Sequence, residues 1–233
     1  MKHLLTALRI LVLVLIYATI ASADEVWVIT SLDWQPYSDS KSLQQGFSIH
    51  KLRTLLKREN IELRVEFYPW SRARETARQD GYVGYFPAWP EEVVQGFTAS
   101  PPVDWSDFGV MTYQGSGTKW TSIEDVFDER LGLVTSYVYP DDITKLARTK
   151  PNNVDPTPNE LTLLRKLSQG RFKRAITSPT VMHYLAKKEG ITNIRTLKIL
   201  GEKPLVIAFR NSPENMKRLR LLKKLLEQQP ACN

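Results

Sequence analysis

The chain has 233 residues, a formal net charge of +7, 42% hydrophobic and 24% charged residues, which is the composition of an ordinary globular protein and excludes wholesale disorder. Its only cysteine, Cys232, stands one residue from the end, which excludes an internal disulfide and any cysteine-built metal cluster. Sequence motifs of dinucleotide, P-loop, zinc-protease or nucleophile-elbow type are absent.

The first segment reads as a leader. Lys2 and Arg9 give a basic start, Ile10 to Ile20 is almost wholly apolar, and Ala21-Ser22-Ala23 is a small-x-small stop, so cleavage is expected before Asp24. The alternative, a retained membrane anchor, needs ~20 apolar residues, about twice the run present. No cysteine follows the run, which excludes a lipid-anchored lipoprotein. Cleavage leaves about 210 residues with a charge of +5, enough for one large core or two modest ones. An exported, disulfide-free chain points to a bacterial periplasm, and export argues against a nucleic-acid partner.

Residues 26–31 (VWVITS) read as a strand, and Leu32 to Tyr37 as a loop. Gly46 to Asn60 reads as a helix, with Ile49, Leu52 and Leu56 on one face and Lys51, Arg53, Lys57 and Arg58 on the other. Residues 61–68 alternate as a strand that Pro69 ends; Trp70 to Gln79 is a helix and Tyr82 to Phe86 a strand. The order then repeats. Residues 101–113 are extended, 114–117 turn, 131–134 form a strand and 141–149 a helix; three prolines assign 151–158 to a loop. A helix ending at Gly170, a strand at 172–177, a helix from Pro179 to Glu189, a strand at 194–199 and an extended run at 204–209 follow, and Pro213 opens a last helix to about Gln228.

Strand–helix alternation of this kind builds parallel α/β layers. The expectation is an α/β fold of two lobes with two hinge crossings: residues 24–108 with 205–233 as lobe 1, and 109–204 as lobe 2. Asp104 to Met111 and Pro204 to Phe209 are expected to run side by side as the connectors. Residues 114–203 carry 15 basic and 10 acidic side chains, a bias that suits an anionic ligand in the cleft or merely a solvated surface.

Ligands gather at the carboxyl ends of strands in such layers. Trp34, Trp70 and Trp89 fall at those ends, where aromatic faces grip a small solute. Arg72, in the first turn of the Trp70 helix, opposes the helix dipole; it either binds an anion or pairs with Glu75. Tyr137 and Ser178 follow strands of the second unit, as cleft hydroxyls or as helix caps. His50 and His183 lie on helices and are expected to be structural. If the cleft performs chemistry, Asp33 and Asp104 are the acids to test.

The exported start, Asp33-Trp34-Gln35-Pro36-Tyr37 after the first strand, and Gly46-Phe47 opening a helix resemble bacterial periplasmic solute-binding proteins of family 3, the polar amino acid type that feeds ABC transporters. Tyr68-Pro69-Trp70-Ser71-Arg72-Ala73 resembles a PWxRA motif of one branch, Ser100-Pro101-Pro102 its entry to the hinge strand, Leu167 to Arg171 its LxxGR helix end, and Pro204 to Phe209 its return strand. The resemblance spans residue 25 to about 228. It implies two lobes that close on a small solute; the residues themselves give Trp34, Tyr37, Trp70, Arg72, Trp89, Tyr137 and Ser178 as the expected ligand-binding set of a monomer. It also implies an inner-membrane ABC permease as partner, no cofactor, no metal and no covalent chemistry. The departures point away from ordinary amino acids. Where the family carries an arginine for the α-carboxylate this chain reads Trp89 to Val94, and Ser178 stands near the place of the acid that holds the α-ammonium. An exported sensor or accessory module, and a hydrolase or lyase on the same fold, are the alternatives.

Overall fold

The computed structural model describes residues 25–113 and 121–228. The leader, its cleavage point, the turn at 114–117 and Cys232 lie outside the described residues.

Strand β1 (Val26–Ser31) pairs in parallel with β2 (Glu62–Phe67) on one side and β3 (Tyr82–Ala88) on the other. The crossovers are α1 (Phe47–Lys57) and α2 (Trp70–Thr76). α1 buries Ile49, Leu52, Leu55 and Leu56, the 3.6-residue stripe visible in its sequence, against the layer. A short strand β4 (Phe97–Ala99) precedes β5 (Asp104–Tyr113). The chain continues through α3 (Ile123–Val126), β6 (Leu131–Val134), α4 (Asp141–Thr149), β7 (Val154–Thr157), α5 (Glu160–Ser168), β8 (Arg174–Thr177) and α6 (Pro179–Glu189). It ends with β9 (Ile194–Arg210) and α7 (Pro213–Glu227).

The strand order is β2-β1-β3-β9-β5-β8-β6-β7, with β4 also on β9. β9 serves both lobes. Its end, Val206 to Arg210, pairs antiparallel with β3 and β4, while Ile194 to Leu205 pair antiparallel with β5. β5 in turn pairs with β8 through Gly109 to Thr112. Two adjacent antiparallel strands therefore carry the chain between a β1–β3 layer and a β6–β8 layer. α7 returns to α1 and β9, where Asn215 donates from its side-chain amide to the Tyr82 and Arg210 carbonyls.

Three details differ from the sequence expectation. The segment 151–158 is not all loop: a 3-10 turn at Pro151–Asn153 leads into β7, which pairs with β6 alone at the sheet border. An edge strand tolerates Pro156 because only one of its sides needs amide donors. Residues 194–199 and 204–209 are one 17-residue strand, with register shifts opposite Phe108/Gly109 and Val110/Met111. The antiparallel register sets Asp104 opposite Leu205 and Met111 opposite Thr196, so the connector partner of β5 is the earlier part of β9, and the run beyond Leu205 joins β3.

Gly46 fixes the loop that enters the cleft. Its φ of 95° lies in the region favoured by glycine, and a Cβ there would stand 2.5 Å from the Tyr37 carbonyl oxygen. That close approach lets Phe47 and Ser48 donate their amides to the Pro36 and Tyr37 carbonyls, 2.9 and 3.0 Å, tying residues 33–46 to the start of α1.

Candidate functional site

Four aromatic side chains from separate elements converge where the lobes meet. Trp34 leaves the β1 layer in a tight turn, its amide donating to the Ser38 carbonyl at 2.8 Å. Trp70 starts α2, Trp89 follows β3, and Tyr137 follows β6. Trp34 and Trp89 meet edge to face at 6.0 Å, and Trp89 and Tyr137 at 5.8 Å, the geometry that ring quadrupoles favour. The three indoles are buried and Tyr137 is half-buried. With Leu32, Pro87, Glu92 and Leu205 they enclose a cavity of about 10 Å³, room for one water at most.

Two buried carboxylates hold this cluster together. Glu160, the first residue of α5, accepts the Trp34 indole N–H at 2.9 Å and the Tyr137 hydroxyl at 2.5 Å, and Thr177 donates to it at 3.3 Å. Asn159 caps α5 by accepting the Thr162 amide, which leaves the Glu160 side chain free to turn into the cleft. Glu92 ends a 3-10 turn, Pro90–Glu92, and accepts the Trp70 indole N–H at 2.7 Å and the Trp89 amide at 3.0 Å.

Burial is the dominant electrostatic influence on both acids. It pushes Glu92 up to about 7 against the lowering effect of its hydrogen bonds and of Arg74. It raises Glu160 for the same first reason, against the Tyr137 and Trp34 hydrogen bonds. The desolvated charged form is disfavoured more than its donors compensate.

The cavity is the floor of a larger cleft of about 680 Å³ that shares Leu32, Trp34, Trp70 and Tyr137 with it. Lobe-one walls of this cleft include Asp33, Lys41, Phe67 and Tyr68; opposing walls include Ser136, Glu160, Leu161 and Lys188. The volume suits a small molecule.

Of the sequence candidates, Trp34, Trp70, Trp89 and Tyr137 are brought together. Tyr37 stacks on Trp34 at 4.7 Å, and its phenol, raised first by burial and then by the Asp107 charge, sits beside Thr180 and Ser178 across the lobe boundary. Arg72 does not line the cavity or the cleft: it is exposed, and its guanidinium lies 5.3 Å over the ring of Tyr68, itself a cleft wall. Trp70 and Ala73 point inward, and a residue two positions after Trp70 faces the opposite way at 100° per residue. Arg72 does not pair with Glu75 either, which pairs with Arg78 at 3.2 Å. Ser178 does not face the cavity. It is fully buried as the N-cap of α6, accepting the Val181 amide and donating to Asp107 at 2.5 Å. Asp33 accepts the Ser40 amide and hydroxyl in a local turn, and Asp104 is held by Ser48 and Lys51.

Glu92 and Glu160 escaped the sequence reading. Glu160 passes for a first-turn acid that favours the helix dipole, and Glu92 for part of an acidic pair. The one available signal is the three-residue spacing from Trp89 to Glu92, which is that of a capping box.

No protein-family model matches the chain, and no curated protein matches it in sequence. Solved structures do match. A histidine kinase sensor domain with similarity to periplasmic binding proteins superposes with a TM-score of 0.73 at 15% identity, covering 88% of this chain and 90% of that one. The VFT2 domain of Bordetella pertussis BvgS gives 0.70 at 16% identity, covering 88% of each. An ancestral arginine-binding protein bound to arginine gives 0.69 at 17%, covering 87% and 91%. The fold is thus the two-lobed one of periplasmic binding proteins.

Proposed function

We propose that the protein binds a small solute in the interlobe cleft, as an exported periplasmic protein that works by hinge closure and catalyses no reaction. The observation that carries this reading is the pair of contacts made across the lobe boundary at the cleft floor, the hydrogen bond from Trp34 to Glu160 and the ring contact of Trp89 with Tyr137. Contacts present only when the lobes are closed set the hinge equilibrium, and a ligand acts on that equilibrium through its differential affinity. The lobes divide as 24–108 with 205–233 and 109–204, so that Trp34, Trp70, Trp89 and Glu92 belong to one and Tyr137 and Glu160 to the other. Asp33 and Asp104 are engaged in local structure, which supports binding over catalysis. Tyr37, packed on Trp34, contributes to the closed interface.

Among the described residues no arginine lines the cavity or the cleft to hold an α-carboxylate, which favours a solute other than an ordinary amino acid. Supply to an inner-membrane ABC permease by a monomer is the role we favour. The likeness to two sensor domains supports a second reading, an exported sensing module, which genes for a permease and ATPase beside this one would argue against. A thermal-shift screen of the purified protein against a broad solute library tests the common element. A ligand at a hundredfold its Kd stabilises by about 2.7 kcal/mol. No shift from any solute class refutes the reading.

A further inference from the structure

The cleft floor has the chemistry of a cation receptor. Its walls are the rings of Trp34, Trp70, Trp89 and Tyr137 with the carboxylate of Glu92, and Glu160, in the wall of the larger cleft, bonds the Trp34 indole and the Tyr137 hydroxyl from the other lobe. No lysine or arginine lines the cavity. Two cations touch the rings: Lys203, 5.0 Å over Trp89 and bonded to Glu91 at 2.6 Å, and Arg74, 5.8 Å over Trp70. In the outer cleft Lys41 and Lys188 are balanced by Asp33 and Glu189. Positive charge is thus available at the mouth and scarce at the floor.

Building on the solute-binding reading above, we propose that the floor takes an organic cation without an α-carboxylate, an alkylammonium group enclosed by the four rings and paired with Glu160 and Glu92. Aromatic faces attract a desolvated cation through their quadrupoles, and a carboxylate supplies the countercharge. An α-amino acid fits poorly, because its carboxylate would enter the same enclosure against two acids. The cavity of about 10 Å³ admits the cation only when the lobes part. Parting breaks the Trp34–Glu160 bond and leaves Tyr137 on Glu160 within its own lobe, so the indole N–H holds the place that an ammonium group would take and the phenol competes for the same carboxylate. Burial raises both carboxyls, and an incoming cation favours their ionised forms, so binding releases protons and strengthens as pH rises. The titratable and charged groups facing the pair are Arg74, Tyr137 and Tyr139, with Lys203 and Glu91 behind Trp89.

The test titrates the purified protein with choline, putrescine, dimethylbutanol (the neutral carbon isostere of choline) and propionate, following tryptophan fluorescence and the thermal midpoint at pH 6 and 8. The expected result is that choline or putrescine binds at least tenfold more tightly than the neutral and anionic probes, and at least threefold more tightly at pH 8 than at pH 6. Glu160→Gln and Glu92→Gln are each expected to lose tenfold or more. Tyr137→Phe, which keeps the ring and removes the hydroxyl that competes for Glu160, retains or tightens cation binding and serves if the glutamate variants fold poorly. If a cation binds equally well to Glu160→Gln and Glu92→Gln, or if Tyr137→Phe weakens it tenfold, the assignment to this floor is wrong. If no amine binds but a wider screen returns a neutral or anionic solute, the cation class falls and solute binding stands. If nothing binds, both fall.

Discussion

Glu92 makes the stability of the protein fall as pH rises through neutrality. Its carboxyl is 5% exposed and titrates at about 7 in the fold, against an ordinary 4.5. A folded-state value above the unfolded one means that the fold binds the proton more tightly, so its contribution is full below about pH 4.5 and is lost as pH rises through about 7. At about 1.4 kcal/mol per unit, the difference amounts to about 3 kcal/mol, most of which falls between pH 5 and 8. Glu160, raised for the same first cause, adds in the same direction. For a chain of this size a loss of that order corresponds to a fall of roughly 5–10 °C in the midpoint. Urea denaturation and thermal melts of the ligand-free protein at pH 5, 6, 7 and 8 measure the slope. Glu92→Gln should flatten most of it, at the cost of one accepting oxygen that now serves the Trp89 amide or the Trp70 indole. A parent whose stability is constant or rises from pH 5 to 8, or a Glu92→Gln variant with the parent's slope, would show that the buried carboxyl is not protonated in the fold.

Trp34→Phe keeps the ring contacts and removes the donor to Glu160; the buried acceptor left short should cost about 1–3 kcal/mol in urea denaturation, and an unchanged midpoint would argue that this bond does not hold the lobes. Arg72→Ala should change stability by less than about 0.5 kcal/mol and leave solute affinity as it was, since the side chain lies outside the cleft; a tenfold loss of affinity would return it to the site. Ser178→Ala should cost about 0.5–2 kcal/mol through the lost cap and the Asp107 bond, a penalty measurable by the same denaturation. N-terminal sequencing of the exported form should read from Asp24; recovery of Met1 in the membrane fraction contradicts cleavage.

Periodicity and strand-end position made most of the architecture readable. The stripe of α1, the strand–helix alternation and the two extended runs follow from residue types alone. Trp34, Trp70, Trp89 and Tyr137, singled out because ligands gather where parallel strands end, converge in the structure. Arg72 is turned to solvent for a reason the same rules contain: if Trp70 faces inward, a residue about 200° further round the helix faces out. Ser178 was misplaced because a hydroxyl before Pro179 serves two roles, and the cap prevailed, with Asp107 taking the remaining bond. β7 is not legible from proline content, because a proline is tolerated in a strand at the sheet edge, where only one side of the backbone needs donors, and edge position is set by the fold.

The two carboxylates were out of reach of such rules. An acid at the start of a helix satisfies the dipole in full view, and nothing local distinguishes Glu160, whose side chain turns inward, from Asp141, exposed in the first turn of α4. What separates them is a partner 126 positions away: the Trp34 indole meets Glu160 only once two lobes have closed. Burial of an acid is costly unless hydrogen bonds meet it: Glu92 is met by the Trp70 indole within its own lobe, whereas Glu160 gains the Trp34 indole only on closure. The energy of that closed state is therefore tied to whether the two acids are neutral, ionised with a cation between them, or ionised alone, and only the last of these disfavours closure.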